Sequence, residues 1–312
     1  MNKSENTLPL YQRLWIYQKE RFPLVQHVPL IAAFTFSAAS YSMLCRGEIS
    51  FIDLSTLCVG IFTTLCFFLL LRLFDEFKDF EDDCQFRPYR PIPRGLVSLT
   101  TLRWMIVVII SLVLVINLLV TPKLLIPIVI ILLYMSLMTK EFFVSNWLKK
   151  NPMFYMSSHM IIMPLIDLYA TGLDWLVQGT TPSTGVGIFL LVSFFNGMVI
   201  EIGRKIRVSE KEEIGVETYS ALYGSKLATQ IWISVVLITF IFAVWAAFQI
   251  PHSLLSIILL VCVFCFCLIP ARKFIVNQTV KGGKNIETAA GLWTLGMYLI
   301  LGATPMVVQS LQ

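Results

Sequence analysis

The stretch LSTLCVGIFTTLCFFLLLRLFDEFKDFEDDCQFRPYRPIPRG, Leu54 to Gly95, decides how this chain is read. Leu54 to Phe74 is apolar for about the length that crosses a bilayer as a helix. It runs directly into DEFKDFEDD, Asp75 to Asp83, and then into RPYRPIPRG, Arg87 to Gly95. Continued as helix, Asp75, Glu76, Asp79 and Asp83 fall at about 0°, 100°, 40° and 80° around the axis, so four carboxylates share one face and Asp82 borders it. Like charges packed this way repel unless a cation sits among them. Mg²⁺ is the cation held by a few carboxylates together with the phosphates of a substrate, and Arg90 and Arg94 downstream are complements for such phosphates. Arg72, one turn before Asp75, lies on the same face at greater depth, where a cation is costly and so reads as functional. A solvated loop of mixed charge has no reason to confine carboxylates to one helical stripe and then fix the chain with three prolines.

Composition identifies the solvent. The chain has 312 residues, of which 57% are hydrophobic and 14% charged, with a mean hydropathy of +0.77. A soluble domain carries roughly 25% charged residues, so this one is read as a multi-pass membrane protein. Apolar stretches long enough to span fall at 28–45, 54–74, 104–121, 124–139, 152–170, 185–203, 227–249, 253–270 and 286–308. Residues 1–27 lack a signal-peptide pattern. Leu8 to Phe22 mixes Arg13, Lys19, Glu20 and Arg21 with Leu14, Trp15 and Ile16, and reads as an amphipathic helix at the interface preceding one transmembrane domain over 28–312.

Basic residues test the span count independently. With the N-terminus in the cytoplasm, 22 of the 24 Lys and Arg residues, Lys3 among them, fall on cytoplasmic segments; Arg46 and Lys123 are the exceptions. The positive-inside rule therefore supports nine spans with the C-terminus on the opposite side. The net charge of +5 describes a cytoplasmic rim suited to anionic headgroups or substrates, and makes no case for nucleic acid. Seven cysteines, an odd number, show no CxxC framework beyond Cys262-x-x-Cys265-x-Cys267. That run lies in an all-apolar span without a nearby histidine and reads as packing.

A second charged group closes the sixth span in FNGMVIEIGRKIRVSEKEEIGVETYSALYG. Glu201, Arg204 and Lys205 stand at i, i+3 and i+4, within reach of one another. Both charged groups follow even-numbered spans, so they emerge on one membrane face and are placed to line one cavity.

Nine spans, an acidic run after the second, a charged motif after the sixth and RPIPRG at Arg90 to Gly95 together resemble the UbiA superfamily of intramembrane prenyltransferases over the whole chain. Asp75, Glu76, Asp79 and Asp83 occupy the four places of that family's NDxxDxxxD motif. Gly215 to Gly224, GVETYSALYG, looks like the segment after its second motif. The second motif departs from the pattern, because Arg204, Lys205 and Arg207 enter where carboxylates or neutral residues are expected. A cation neutralises diphosphate oxygens in place of a metal, so fewer Mg²⁺ ions are expected here.

The resemblance implies an all-α fold of nine transmembrane helices around a central cavity open to the cytoplasm. It also implies transfer of a prenyl group from an isoprenoid (allylic) diphosphate to an aromatic or lipophilic acceptor. On this reading Asp75, Glu76, Asp79, Asp83 and Glu201 hold Mg²⁺, while Arg72, Arg90, Arg94, Lys140, Arg204 and Lys205 hold the diphosphate. Asp75, Asp79, Asp83 and Arg94 then form the catalytic set, and Tyr134 and Asn196 face the cavity. The π-rich wall that an allylic cation needs is sought among Phe67, Phe68, Phe74, Tyr134, Tyr155, Phe194 and Phe195. His159 and Asp167, on the fifth span, are left out of the catalytic set, Asp167 because it falls near the outer interface. A terpene cyclase, using the first motif without an external acceptor, is the alternative; a transporter would need polar residues from face to face, and these are concentrated at one rim.

Overall fold

The computed structural model describes residues 8–213 and 215–311. Residues 1–7 of the N-terminal segment, Lys3 included, and Gln312 lie outside the described residues. The elements in chain order are α1 (Leu10–Arg21), α2 (Leu24–Cys45), α3 (Leu54–Lys78), α4 (Phe80–Phe86) and α5 (Leu99–Val120). Then come α6 (Leu125–Thr139), α7 (Ser145–Lys150), α8 (Pro152–Met160), α9 (Ile162–Gln178) and α10 (Thr184–Gly203). The last are α11 (Tyr219–Tyr223), α12 (Ser225–Ala247), α13 (Ser253–Val276), α14 (Val280–Tyr298) and α15 (Thr304–Ser310). Nine helical segments among the described residues are long and apolar enough to cross a membrane. They match the nine expected stretches, with α8 and α9 forming one span and α14 running through a π-helical turn, Leu299–Ala303, into α15. The first span begins at Leu24, four residues earlier than expected, directly after Pro23.

In the bilayer no water is available to satisfy backbone groups, so helices are the form this chain takes, and side chains cap their ends. Asp53 accepts from the Thr56 amide at the start of α3, Ser98 from Thr101 at α5, and Thr279 from Gly282 at α14. The least buried span is α5, an apolar helix facing lipid, and the most buried is α10, packed between α12, α9 and α14. The main core joins α2, α3, α6, α9 and α10 around Phe67, Tyr169, Phe189 and Tyr298. A second core joins α10, α12, α13 and α14 around Trp232, Phe274 and Trp293. The expected packing role of the cysteine run holds for Cys267, which is buried with its Sγ 3.5 Å from the Ala289 carbonyl; Cys262 and Cys265 are exposed.

Helix α2 lies against the π-turn with no room for a side chain: a Cβ on Gly302 would sit 2.0 Å from the Ser37 carbonyl oxygen. Backbone on both sides has to move to relieve that contact, so Gly302→Ala is expected to cost roughly 1–3 kcal/mol or more. Thermal unfolding in detergent reads it as a clearly lowered midpoint; an unchanged midpoint would mean that α2 and this turn are not in contact.

Candidate active site

The acidic run does not stay one helix. Helix α3 ends at Lys78, and Asp79, with φ −93° and ψ 7°, joins it to the short α4. The break divides the four carboxylates. Asp75 and Asp79 line a cavity of about 510 Å³. Glu76 points the other way and is buried, 2.5 Å from Arg21 and 3.3 Å from the Tyr17 hydroxyl, which donates to it. Asp83 is also buried, 3.0 Å from Arg87 and 2.6 Å from Arg90. The single-face stripe expected from an unbroken helix is therefore corrected: only two of its carboxylates reach the cavity, and the other two fasten the surrounding chain.

The same partners explain the arginines. Arg94 reaches Glu20 through both terminal nitrogens at 2.8 Å and the Tyr89 carbonyl at 2.8 Å, so it ties α1 to the RPYRPIPRG turn. The Arg94 guanidinium holds the Glu20 carboxyl below its usual range against a smaller opposing effect of burial. Tyr17, Leu73, Ile92, Leu96 and Leu102 form a small core beneath this turn. Arg90 turns to Asp83, and Arg72 stands 4.0 Å from Asp75 but outside the cavity lining. Lys140 is exposed, and neither it nor Tyr134 lines the cavity; the Tyr134 hydroxyl donates to the Ser158 carbonyl at 2.6 Å.

Asn196 and Glu201 of α10 and Arg204 and Lys205, directly after its end, all line the cavity. Glu201 is clasped by both neighbours, Arg204 at 2.5 Å and Lys205 at 2.9 Å. Two cations on one carboxylate leave this wall net positive. Of the glutamates that follow, Glu213 pairs with Arg207 at 3.3 Å, and Glu212 accepts from the Thr218 hydroxyl. Thr218 also caps α11 through the Ala221 amide. Gly215, at φ +77°, is pressed against Phe86, where a Cβ would meet the ring at 2.4 Å, so the loop after α10 rests on α4 and both charged motifs share one rim.

Lys78 and His159 join the site without having been expected there, and Glu141 supports Lys78 from outside the lining. Lys78 lines the cavity beside Asp75 and Asp79. It donates to the Tyr155 hydroxyl, lies 3.2 Å from His159 Nε2, and pairs with Glu141 at 3.5 Å. Glu141 is delivered by three successive left-handed residues, Glu141, Phe142 and Phe143, a backbone that costs roughly 1–2 kcal/mol per residue. Tyr155 and His159 stack one turn apart on α8 with ring centroids 4.1 Å apart. The signal for Lys78 was in the acidic run itself, as the one cation among its carboxylates. Burial raises the Asp79 carboxyl above its ordinary value; Lys78 opposes that and Asp83 adds to it.

Of the aromatic residues expected at the wall, Phe68 and Tyr155 line the cavity, joined by Phe34 and Tyr298. Phe67 packs on Tyr169, and Phe194 and Phe195 on each other. Asp167, expected near the outer interface, is instead fully buried and accepts from the Tyr298 hydroxyl at 2.6 Å.

No group of three or more His, Cys, Asp and Glu side chains suited to a metal is found among the described residues. Asp75 and Asp79 nevertheless fit Mg²⁺, which is held by one or two carboxylates while substrate phosphates and water complete its shell. A hollow of about 540 Å³ near the α13–α14 loop is flanked by Arg272, Lys273 and Lys281 and has no carboxylate in its lining.

Three comparisons bear on this arrangement. The description of the UbiA prenyltransferase family matches residues 15–286. The fold is similar to that of a solved digeranylgeranylglyceryl phosphate synthase in membranes, with a TM-score of 0.62 and 18% identity, covering 96% of this chain and 100% of the other. No curated protein matches the sequence.

Proposed function

The chain belongs to the UbiA prenyltransferase family, and from that premise we propose that it is a Mg²⁺-dependent intramembrane enzyme that ionises an allylic isoprenoid diphosphate and transfers the prenyl group to an acceptor. The observation that carries this reading is the composition of one cavity. Three carboxylates, Asp75, Asp79 and Glu201, and three cations, Lys78, Arg204 and Lys205, stand at one end, and Phe34, Phe68 and Met163 line the interior. Its volume falls in the range of small-molecule sites, roughly 300–1,000 Å³.

Asp75 and Asp79 would hold Mg²⁺ on this account, and when bound it would supply electrophilic stabilisation of diphosphate oxygens. Lys78 from α3 and Arg204 and Lys205 from the turn that ends α10 approach the same anion from two sides. As the bond from the allylic carbon to the diphosphate oxygen breaks, its electron pair goes to the diphosphate, and fixed cations there stabilise the transition state more than the ground state. The allylic cation is left between Phe34 and Phe68, whose ring faces favour positive charge. The acceptor's electron pair then forms the new bond, and its proton passes to the released diphosphate.

Incubation of the purified protein with Mg²⁺, geranyl, farnesyl or geranylgeranyl diphosphate, and candidate aromatic and lipid acceptors tests this reading. Alkylated acceptor is the expected product. Cyclic hydrocarbon or terpene alcohol, formed equally without acceptor, would establish the cyclase instead.

The charged rim is proposed to face the cytoplasm, on the strength of the basic-residue asymmetry. A reporter fused after Gln312 is expected to read from the opposite side. A cytoplasmic reading would remove one span from the count.

A further inference from the structure

The cavity carries polar groups at a depth where a prenyl chain has no use for them. Asn196 lies on α10 five residues before Glu201, about 7.5 Å deeper at 1.5 Å per residue, and it lines the cavity together with Thr294 and Tyr298 of α14. Asn196 is 2% exposed. Its Oδ1 accepts from the Thr294 hydroxyl at 3.0 Å, while its Nδ2 is buried with no hydrogen-bond partner. An unpartnered donor in an apolar interior carries its full desolvation penalty, and a hydrocarbon ligand leaves that penalty in place.

Tyr298 behaves differently. Its hydroxyl turns away to Asp167, and its ring lies against Phe34 with centroids 4.6 Å apart. The phenol is anchored behind the wall and the ring forms the wall. Asn196 is thus the lining group at this depth whose hydrogen-bonding capacity stays open, held in orientation by Thr294.

The depth places the amide beside the first carbons of a prenyl chain whose diphosphate sits among Asp75, Lys78 and Lys205. An acceptor has to bring its nucleophilic atom to this same place. We propose that the Asn196 amide, braced by Thr294, is the specificity-determining donor that docks an oxygen of a neutral, hydroxyl- or carbonyl-bearing acceptor next to the reacting carbon. The inference rests on the prenyl-transfer reading above. Asn196 exchanges no proton with the substrates and acts by positioning alone.

Equilibrium dialysis of the full-length protein in one detergent, with 1,4-naphthoquinone and naphthalene as probes, tests it. Asn196→Leu is expected to weaken naphthoquinone binding about tenfold or more, the scale for a buried donor–acceptor contact, and to leave naphthalene binding unchanged. Binding of inorganic diphosphate with Mg²⁺ is expected to be unaltered. Thr294→Val, which frees the amide to rotate, should weaken naphthoquinone binding in the same direction by less, and it serves as the second variant if Asn196→Leu does not fold. Three results would overturn the proposal: no naphthoquinone binding by the wild type, equal naphthoquinone affinity in wild type and variants, or an equal loss for naphthalene. Failure of the prenyl-transfer reading has a separate signature, the absence of Mg²⁺-dependent diphosphate release from a prenyl diphosphate by the wild type.

Discussion

Replacing Asp79 by Ala is expected to lower turnover by at least about 10²-fold, the scale for losing one main electrostatic stabiliser of a transition state. Asp79 lies at the break between α3 and α4, half-buried, and lines the cavity with Asp75. With Glu76 taken by Arg21 and Asp83 by Arg87 and Arg90, no other carboxylate of the acidic run stands ready to replace it. Asp82 is exposed beside it, and Asp82→Ala is expected to retain near-wild-type turnover. Steady-state rates with matched expression and thermal stability make the comparison; comparable rates for Asp79→Ala and wild type would remove Asp79 from the site. Asp83→Ala has a different expected signature. It leaves two arginines without their buried carboxylate, so loss of thermal stability should accompany any loss of rate.

Neutralising Arg204 and Lys205 together, as Arg204→Gln with Lys205→Met, is expected to weaken diphosphate binding by more than about tenfold. Charge-assisted hydrogen bonds contribute roughly 1.5–3 kcal/mol each, and Arg204 and Lys205 line the cavity across from Asp75. Glu201 has both oxygens engaged, Oε2 by Arg204 and Oε1 by Lys205, so on this account it orients the cations. Anomalous scattering from Mn²⁺ soaked with a diphosphate analogue gives the count. One metal at Asp75 and Asp79 is expected, whereas a second ion bound wholly by Glu201 and the Glu210–Glu213 run would contradict this reading.

The spans were legible in the sequence because a bilayer imposes a long apolar run on each crossing helix, and all nine fall where hydropathy puts them. The charged motifs were legible as neighbours, since Glu201, Arg204 and Lys205 meet within two helical turns. What escaped were consequences of backbone breaks and of contacts between distant segments. Nothing local announces that the helix ends at Lys78, yet that break sends Asp83 to Arg90 and leaves Asp79 at the cavity. Glu76 looked like a ligand until Arg21, 55 residues away in sequence, arrived on α1. Lys78 looks in the sequence like one more cytoplasmic charge, because its partners, Glu141, Tyr155 and His159, come from other elements. The position of Asp167 along its span points to the interface, whereas its burial depends on Tyr298, 131 residues later. Asn196, expected at the cavity, lines it and also accepts from Thr294 of α14.

Diphosphate release from geranyl, farnesyl and geranylgeranyl diphosphate, followed beside their saturated analogues, tests the central claim most directly. The account predicts release from at least one allylic diphosphate that requires Mg²⁺, stops on chelation and falls at least about 10²-fold in Asp79→Ala, with the saturated analogues inert because they form no stabilised cation. Release from allylic and saturated substrates at the same rate, or from none of them with Mg²⁺ present, would contradict it.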